Sequence, residues 1–471
     1  MGTGRAYGLN RMRVAGVIAL LIAAVIALWL VSGGAAVPRL RRCNVASYAD
    51  DALELDLKKC SLTTLPSLAR FTRLRKLDLG HNALSDLPAL PPSLEILFLL
   101  GNDFEGVPAS LEPLPALRML SFKACKLTLL DRRLPTSLSW LILTENQLFQ
   151  LPEWLGELTA MRKLMLSNNR LASLPPSLAS MGELELLRLA NNRLEELPGW
   201  VLELPKLTWL AIAGNPFVQA PPPRASLEPI SLADVHLGKI LGEGTSGVVH
   251  KAEYNGETVA VKLYKQPLSS DGRNIDEVRA SCALDHPNVV KFRGYFEEPQ
   301  LGAVLEWTEG YSSLGGPPSL DSCTRDTYAA DATFSAGFIR RAARSVAAAM
   351  AHVHAAGLCH GDLYAHNTLV VRETGEAKVG DFGAAFYYRG LQVNTWRFEQ
   401  MELRAFGIML AELLDRQRPG GPELAELRRL ADACSAPFSN KPGTGLPAER
   451  VRATCTSFAA VSAALRPKGR E

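Results

Sequence analysis

Residues 237–262 read LGKILGEGTSGVVHKAEYNGETVAVK, and Gly242, Gly244 and Gly247 in that stretch stand in G-x-G-x-x-G spacing with Val249 two residues on. Glycines so placed let a turn lay its backbone against phosphate oxygens with no Cβ between. Alone the pattern is weak, because any Gly-rich hairpin can produce it. Three further groups follow in chain order: Val259-Ala260-Val261-Lys262, then His360-Gly361-Asp362 with Asn367, then Asp381-Phe382-Gly383. Four such parts in sequence are not chance.

Together they resemble the protein kinase family, over residues 232–471, roughly half the chain. The resemblance implies ATP as phosphoryl donor and Mg2+ as cofactor. Lys262 would meet the α/β-phosphates and pair with Glu277, which precedes the His286-Pro287-Asn288 stretch. Gly242, Gly244 and Gly247 would cover the phosphates. Val249 and Ala260 would cover the adenine, Leu369 would lie under it, and Glu306 and Thr308 would form the hinge behind a Leu305 gatekeeper. Asp362 matches the catalytic base, Asn367 and Asp381 the metal ligands. Phosphoryl transfer is mostly positioning and electrostatics, so these few groups would be the chemistry.

The sequence departs from the family pattern in three places. Gly361 replaces the arginine of H-R-D, which puts control by a phosphorylated activation loop in doubt. Tyr364 and His366 stand where serine/threonine and tyrosine kinases usually differ, so serine/threonine transfer is favoured on base rate alone. Phe406-Gly407 matches the family's αF helix start, with Glu402 where aspartate is usual, and Glu402 lies only 21 positions after Asp381. This is short for the family, and no A-P-E follows. The substrate platform is expected to be reduced or rebuilt.

The elements before this region are periodic. Units of the form L-x-x-L-x-L-x-x-N-x-L-x-x-L-P place Asn or Cys at 60, 82, 102, 125, 146, 169, 192 and 215, with gaps of 20 to 23 residues. This resembles the leucine-rich-repeat family over eight units. Each L-x-L would supply a short strand whose leucines share a core with neighbouring units, and Asn would bond backbone groups that the bend leaves unpaired. Cys60 and Cys125 take that place in two units. The concave strand face should bind a protein. Its variable positions include Arg73 to Lys76, Glu95, Phe98, Arg118, Lys123, Trp140, Ile142, Met165, Arg188 and Trp209. Trp140 and Trp209 are either contact anchors or packing between repeats. Pro221-Pro222-Pro223 ends the array, a stiff linker that would hold the two parts apart.

Residues 14–31 carry no charge over 18 positions. As a helix they would be about 27 Å long, near the roughly 30 Å of a bilayer core. An uncleaved anchor is favoured over a signal peptide, whose apolar run is usually shorter. Arginines flank it equally, Arg5, Arg11 and Arg13 before and Arg39, Arg41 and Arg42 after, so charge sets no orientation. No second span follows, so repeats and kinase would share one side, the cytoplasmic one. Eight cysteines without a C-x-x-C give no zinc site or disulfide framework and fit a reducing compartment. His352, His354, His360 and His366 have no ligand spacing for a metal. A net charge of +3 without basic clusters excludes nucleic acid as a partner.

The expected fold class is α/β: a leucine-rich-repeat solenoid, then an α+β two-lobed protein-kinase-like domain, with an N-terminal transmembrane helix. The expected division is an N-terminal tail at 1–13, the transmembrane helix at 14–31, repeats at 50–220, a Pro-rich linker at 221–231 and the kinase domain at 232–471. The expected function is a single-pass membrane kinase that phosphorylates protein hydroxyls, with a protein ligand on the repeats. The alternative is a catalytically weak or inactive kinase-like scaffold.

Overall fold

The L-x-L pattern of the repeats becomes a ladder of three-residue strands. In the computed structural model, which describes residues 43–219, 229–244, 246–419, 424–436 and 455–466, these form one parallel eight-stranded sheet in chain order. The strands are β1 (Glu54–Asp56), β2 (Lys76–Asp78), β3 (Ile96–Phe98), β4 (Met119–Ser121), β5 (Trp140–Ile142), β6 (Lys163–Met165), β7 (Leu186–Arg188) and β8 (Trp209–Ala211). Their central leucines are in register, Leu55 on Leu77 through to Leu187 on Leu210, and all are buried. Each such side chain contributes about 1.5–3 kcal/mol by leaving water, which is what makes stacked units stable when single ones are not.

The asparagines do the work expected of them. Asn169 Nδ2 donates to the carbonyls of Leu143 and Leu166, each at 2.9 Å, while its Oδ1 accepts from Leu148 N at 3.1 Å. One side chain thus ties its own unit to the preceding one. Cys125 keeps part of this, its Sγ donating to Leu99 O at 3.3 Å. Cys60 does something else: it is disulfide-bonded. The expectation that all eight thiols are free fails there, and so does the argument for a reducing compartment that rested on it.

Beyond the repeats, an antiparallel five-stranded sheet forms in the order β14-β15-β11-β10-β9. Its members are β9 (Val235–Glu243), β10 (Gly247–Tyr254), β11 (Glu257–Tyr264), β14 (Phe292–Phe296) and β15 (Gly302–Glu306). A small hairpin, β12 (Leu268–Ser269) with β13 (Gly272–Arg273), leads into helix α1 (Asn274–Cys282). A mainly helical lobe follows. Helix α2 (Ala336–Ala355) starts where the Ser335 hydroxyl accepts from Phe338 N at 3.2 Å. It buries Phe338, Ile339, Ala342, Val346, Met350 and Val353, a stripe of helical period. Helix α3 (Trp396–Asp415) packs beside it, followed by α4 (Ala425–Ser435) and α5 (Phe458–Ala464). The αF match at Phe406-Gly407 thus falls mid-helix, ten residues after α3 begins.

Two expectations are corrected here. Residues 14–31, expected to be a transmembrane helix, lie outside the described residues, and among those described no helix is long and apolar enough to cross a membrane. The transmembrane part of the fold class and the single-pass placement are withdrawn. The linker prolines also lie outside the described residues, and the expected separation of the two parts is not seen, because they are in contact. Leu186 and Trp209 of the repeat sheet are buried in one apolar cluster with α2, α3 and Leu363.

Candidate active site

The Gly-rich stretch spans the turn from β9 to β10, with Gly242 paired to Val249 and Gly244 N donating to Gly247 O at 2.9 Å. A Cβ on Gly247 would stand 2.5 Å from Leu263 O, so the approach of β11 requires glycine. At Gly242 and Gly244 a Cβ would meet nothing within 4 Å. The backbone there faces open space, as a phosphate cradle demands.

Register then fixes Lys262. It lies on β11 opposite Val249 and beside Ala303, and its ammonium is 2.6 Å from Glu277 Oε1 on α1 and 3.5 Å from Asp381 Oδ1. Lys262 and Glu277 are both buried. Burial opposes the charge on Lys262, but Asp381 and Glu277 outweigh it and its pKa is raised. Burial pushes Glu277 up despite the same pair, while Lys262 holds Asp381 below the usual carboxylate range. The three charges form one network. Ala260 sits on β11 against Leu305 of β15, and Glu306 at the end of β15 accepts from Lys291 N and Lys378 Nζ. Thr308 lies in the following turn, its carbonyl accepting from Tyr311 N.

The catalytic-loop match starts from β17 (Leu358–Cys359), which pairs with β20 (Phe386–Tyr387). His360 is fully buried, bonds Gly380 O through Nε2 at 3.0 Å and packs on Phe382, tying the loop to the D-F-G segment. Asn367 Nδ2 donates to Asp362 Oδ2 at 3.0 Å and to Asp362 O at 2.9 Å, and Asn367 O accepts from Gly380 N. Leu369 lies on β18 (Thr368–Val371), which runs between β16 (Tyr311–Ser313) and β19 (Ala377–Val379). Asp362 and Asn367 are thus joined, and Gly380 directly precedes Asp381 of the Lys262 network.

Four residues that the sequence did not single out for the site shape it. Glu402, buried on α3, accepts from Gly361 N at 2.7 Å and bonds His354 Nε2 at 2.7 Å. Asp326 accepts from Ala365 N and bonds His366 Nδ1, each at 2.6 Å. Arg188, on the concave strand β7, bonds Asp362 Oδ1 and donates to Gly361 O at 2.9 Å. Asp271 forms the second ion pair of Arg188, at 2.9 Å. The signal that could have found Arg188 was Gly361, a missing arginine in the loop with a concave face of cations upstream. Tyr364 and His366 make structural contacts: Tyr364 stacks on Trp209 at 4.3 Å and His366 holds Asp326. Trp140 instead packs within the repeats, under Lys163 Nζ at 4.0 Å. The other two histidines of the quartet bond Asp285 N (His352) and Glu402 (His354).

Residues 235–400 match the protein kinase domain family and residues 159–217 the leucine rich repeat family. The chain contains leucine-rich repeats and a protein kinase domain. A stretch of 214 residues is 26% identical to the serine/threonine-protein kinase A-Raf of Mus musculus, covering 40% of this chain and 33% of that relative. The same protein from Rattus norvegicus and from Sus scrofa matches equally. The chain therefore spans about a third of the length of these curated relatives. Both expected resemblances are borne out, the repeat match covering the later units.

A kinase domain implies ATP and a divalent metal, and the residues present fit both. The open backbone at Gly242 and Gly244 can approach phosphates. The Asp381 carboxylate and the Asn367 amide oxygen are hard ligands of the kind Mg2+ takes.

Proposed function

We propose that the chain is an ATP-dependent protein kinase, transferring the γ-phosphoryl group to protein hydroxyls, with serine/threonine favoured. The observation that carries this is the Lys262–Glu277 pair at 2.6 Å with Asp381 beside it. Lys262 holds the α/β-phosphates and Glu277 keeps its ammonium in place. Gly242, Gly244 and Gly247 cover the phosphates, Val249, Ala260 and Leu369 enclose the adenine, and the backbone at Glu306 and Thr308 bonds its edge. Asp362 takes the acceptor hydroxyl's proton. Asn367 and Asp381 hold Mg2+, which when bound neutralises phosphate charge. The proposal includes the domain limits given above, repeats at 50–220, linker at 221–231 and kinase at 232–471. It also includes a protein ligand on the part of the concave face formed by β1 to β5. The A-Raf resemblance supports serine/threonine transfer without extending to substrate.

One observation favours a second reading, a nucleotide-binding scaffold that transfers nothing: both oxygens of Asp362 are engaged, by Arg188 and by Asn367. The test is transfer of labelled phosphate from ATP to a mixed peptide acceptor by the full chain, wild type against Asp362→Asn. Loss of about a hundredfold or more is expected on removing a general base. Equal transfer by the two chains would refute the assignment.

A further inference from the structure

The last three strands of the repeats are not a free surface, and what covers them is the catalytic loop. Arg188, 2% exposed, reaches Asp362, Asp271 and Gly361 O. Trp209, 1% exposed, lies nearly parallel to Tyr364, at 7°, and its Nε1 donates to Leu363 O at 3.0 Å. Glu185 accepts from Thr324 and, at 2.7 Å, from Arg325. Asn168 Nδ2 donates to Ser269 O at 2.7 Å, and Arg404 of α3 donates to Leu207 O at 2.8 Å. Both lobes of the kinase domain are thus engaged.

Gly361 shows that the fit is specific. Its φ is +75°, and a Cβ there would stand 2.5 Å from Leu210 O of β8 and 2.6 Å from Ala384 O. The repeat backbone comes so close to the loop that only hydrogen fits. A buried guanidinium is tolerated only when paired and hydrogen-bonded, and Arg188 has two carboxylates and a carbonyl to meet it.

We propose that strands β6 to β8 are an intrachain cap on the kinase domain, with Arg188 occupying the Asp362 oxygen that an acceptor hydroxyl must reach, so that transfer requires the cap to lift. This rests on the kinase reading above. The occupant of this part of the concave face is the catalytic loop itself, and a protein partner competes with it for the same residues. Lifting breaks no covalent bond; it exchanges the Arg188–Asp362 pair for water and then for the acceptor.

The experiment compares the full-length wild type with Arg188→Ala/Trp209→Ala, and with Asn168→Ala/Glu185→Ala, which loosens the contact without touching Asp362. Hydrogen exchange at amides 361–365 reports the docking, and labelled-phosphate transfer reports its consequence. Both double variants should exchange faster at these amides and transfer on the order of tenfold faster or more, because turnover scales with the competent fraction. Circular dichroism of the repeats identifies a variant that has unfolded, which the other variant replaces. Unchanged exchange in both would overturn the docking itself. Faster exchange with unchanged or lower transfer would overturn the cap and make Arg188 a positioning residue. Faster exchange with no transfer in any chain, Asp362→Asn matching wild type, would overturn the kinase reading and the cap's inhibitory role while leaving the contact standing.

Discussion

Glu402 offers the sharpest test of how the catalytic loop is held. It is 2% exposed and carries the loop through Gly361 N at 2.7 Å, with His354 Nε2 on its other oxygen at 2.7 Å. A hydrogen bond to a charged group is worth roughly 1.5–3 kcal/mol, so Glu402→Ala, which removes two and leaves both partners buried, should cost about 3–6 kcal/mol. Glu402→Gln keeps an acceptor for Gly361 N and loses the charge facing His354, costing about 1.5–3 kcal/mol. Urea unfolding of the three chains at pH 7 measures the order. The acid limb gives an independent check. Burial opposes the Glu402 charge, but the His354 hydrogen bond and the charges of His354 and His360 outweigh it, so its pKa lies below the ordinary 4.5. A carboxyl so depressed adds stability that is fully present above the unfolded value and lost as pH falls through the folded one. Wild type and Glu402→Gln should therefore converge below pH 4.5 and separate above it. An alanine variant within about 1 kcal/mol of wild type at pH 7 would refute this account of the loop, since the smallest estimate from these two bonds is about 3.

Lys262→Met should abolish transfer and also lower stability by roughly 3 kcal/mol, because Glu277 is left buried without its partner; retained turnover would unseat the nucleotide site. Asp381→Ala should remove the Mg2+-dependent part of the thermal shift that ATP produces, and a magnesium effect equal to wild type would favour the scaffold. Asn169→Ala strips four buried hydrogen bonds from the repeats and should cost about 2–4 kcal/mol, read as an earlier urea midpoint. Burial opposes the His366 charge, but the hydrogen bond to Asp326 prevails and raises its pKa above 6.5. Its contribution is then full below pH 6.5 and lost as pH rises through the folded value, so an NMR titration midpoint for His366 at or below 6.5 would contradict the pair.

Local chemistry made much of this molecule legible in the sequence. Leucine and asparagine periodicity led to the repeat strands because a strand residue's burial depends on neighbours a fixed distance along the chain. Lys262 and Glu277 were legible because β10, β11 and α1 follow one another closely. The docking was not, because Arg188 and Asp362 lie 174 residues apart and no periodic signal links them. Trp209 looked like a contact residue or packing between repeats, and its partner is the kinase domain. The disulfide state of Cys60 was hidden because Cys at that position satisfies the repeat motif by itself.

Two departures from the kinase pattern, the short segment and Gly361, become one once the repeats are in place. Only a short segment joins Asp381 to α3 at Trp396, and Ala384 within it packs on Ala190 and Ala211 of the repeats. Strand β8 thus packs on this segment and on the loop at Gly361. The same approach forbids a side chain at position 361, where Leu210 O would meet it. The cation beside Asp362 comes from β7. Glu402 has one methylene more than the usual aspartate, and its carboxylate spans from Gly361 N to His354. A restored arginine at position 361 would collide with Leu210 O of β8, so it cannot stand there while the repeats stay docked. Replacing Gly361 alone should therefore disturb the repeat contact before it disturbs the proposed nucleotide site, whose Lys262–Glu277 pair lies on other elements.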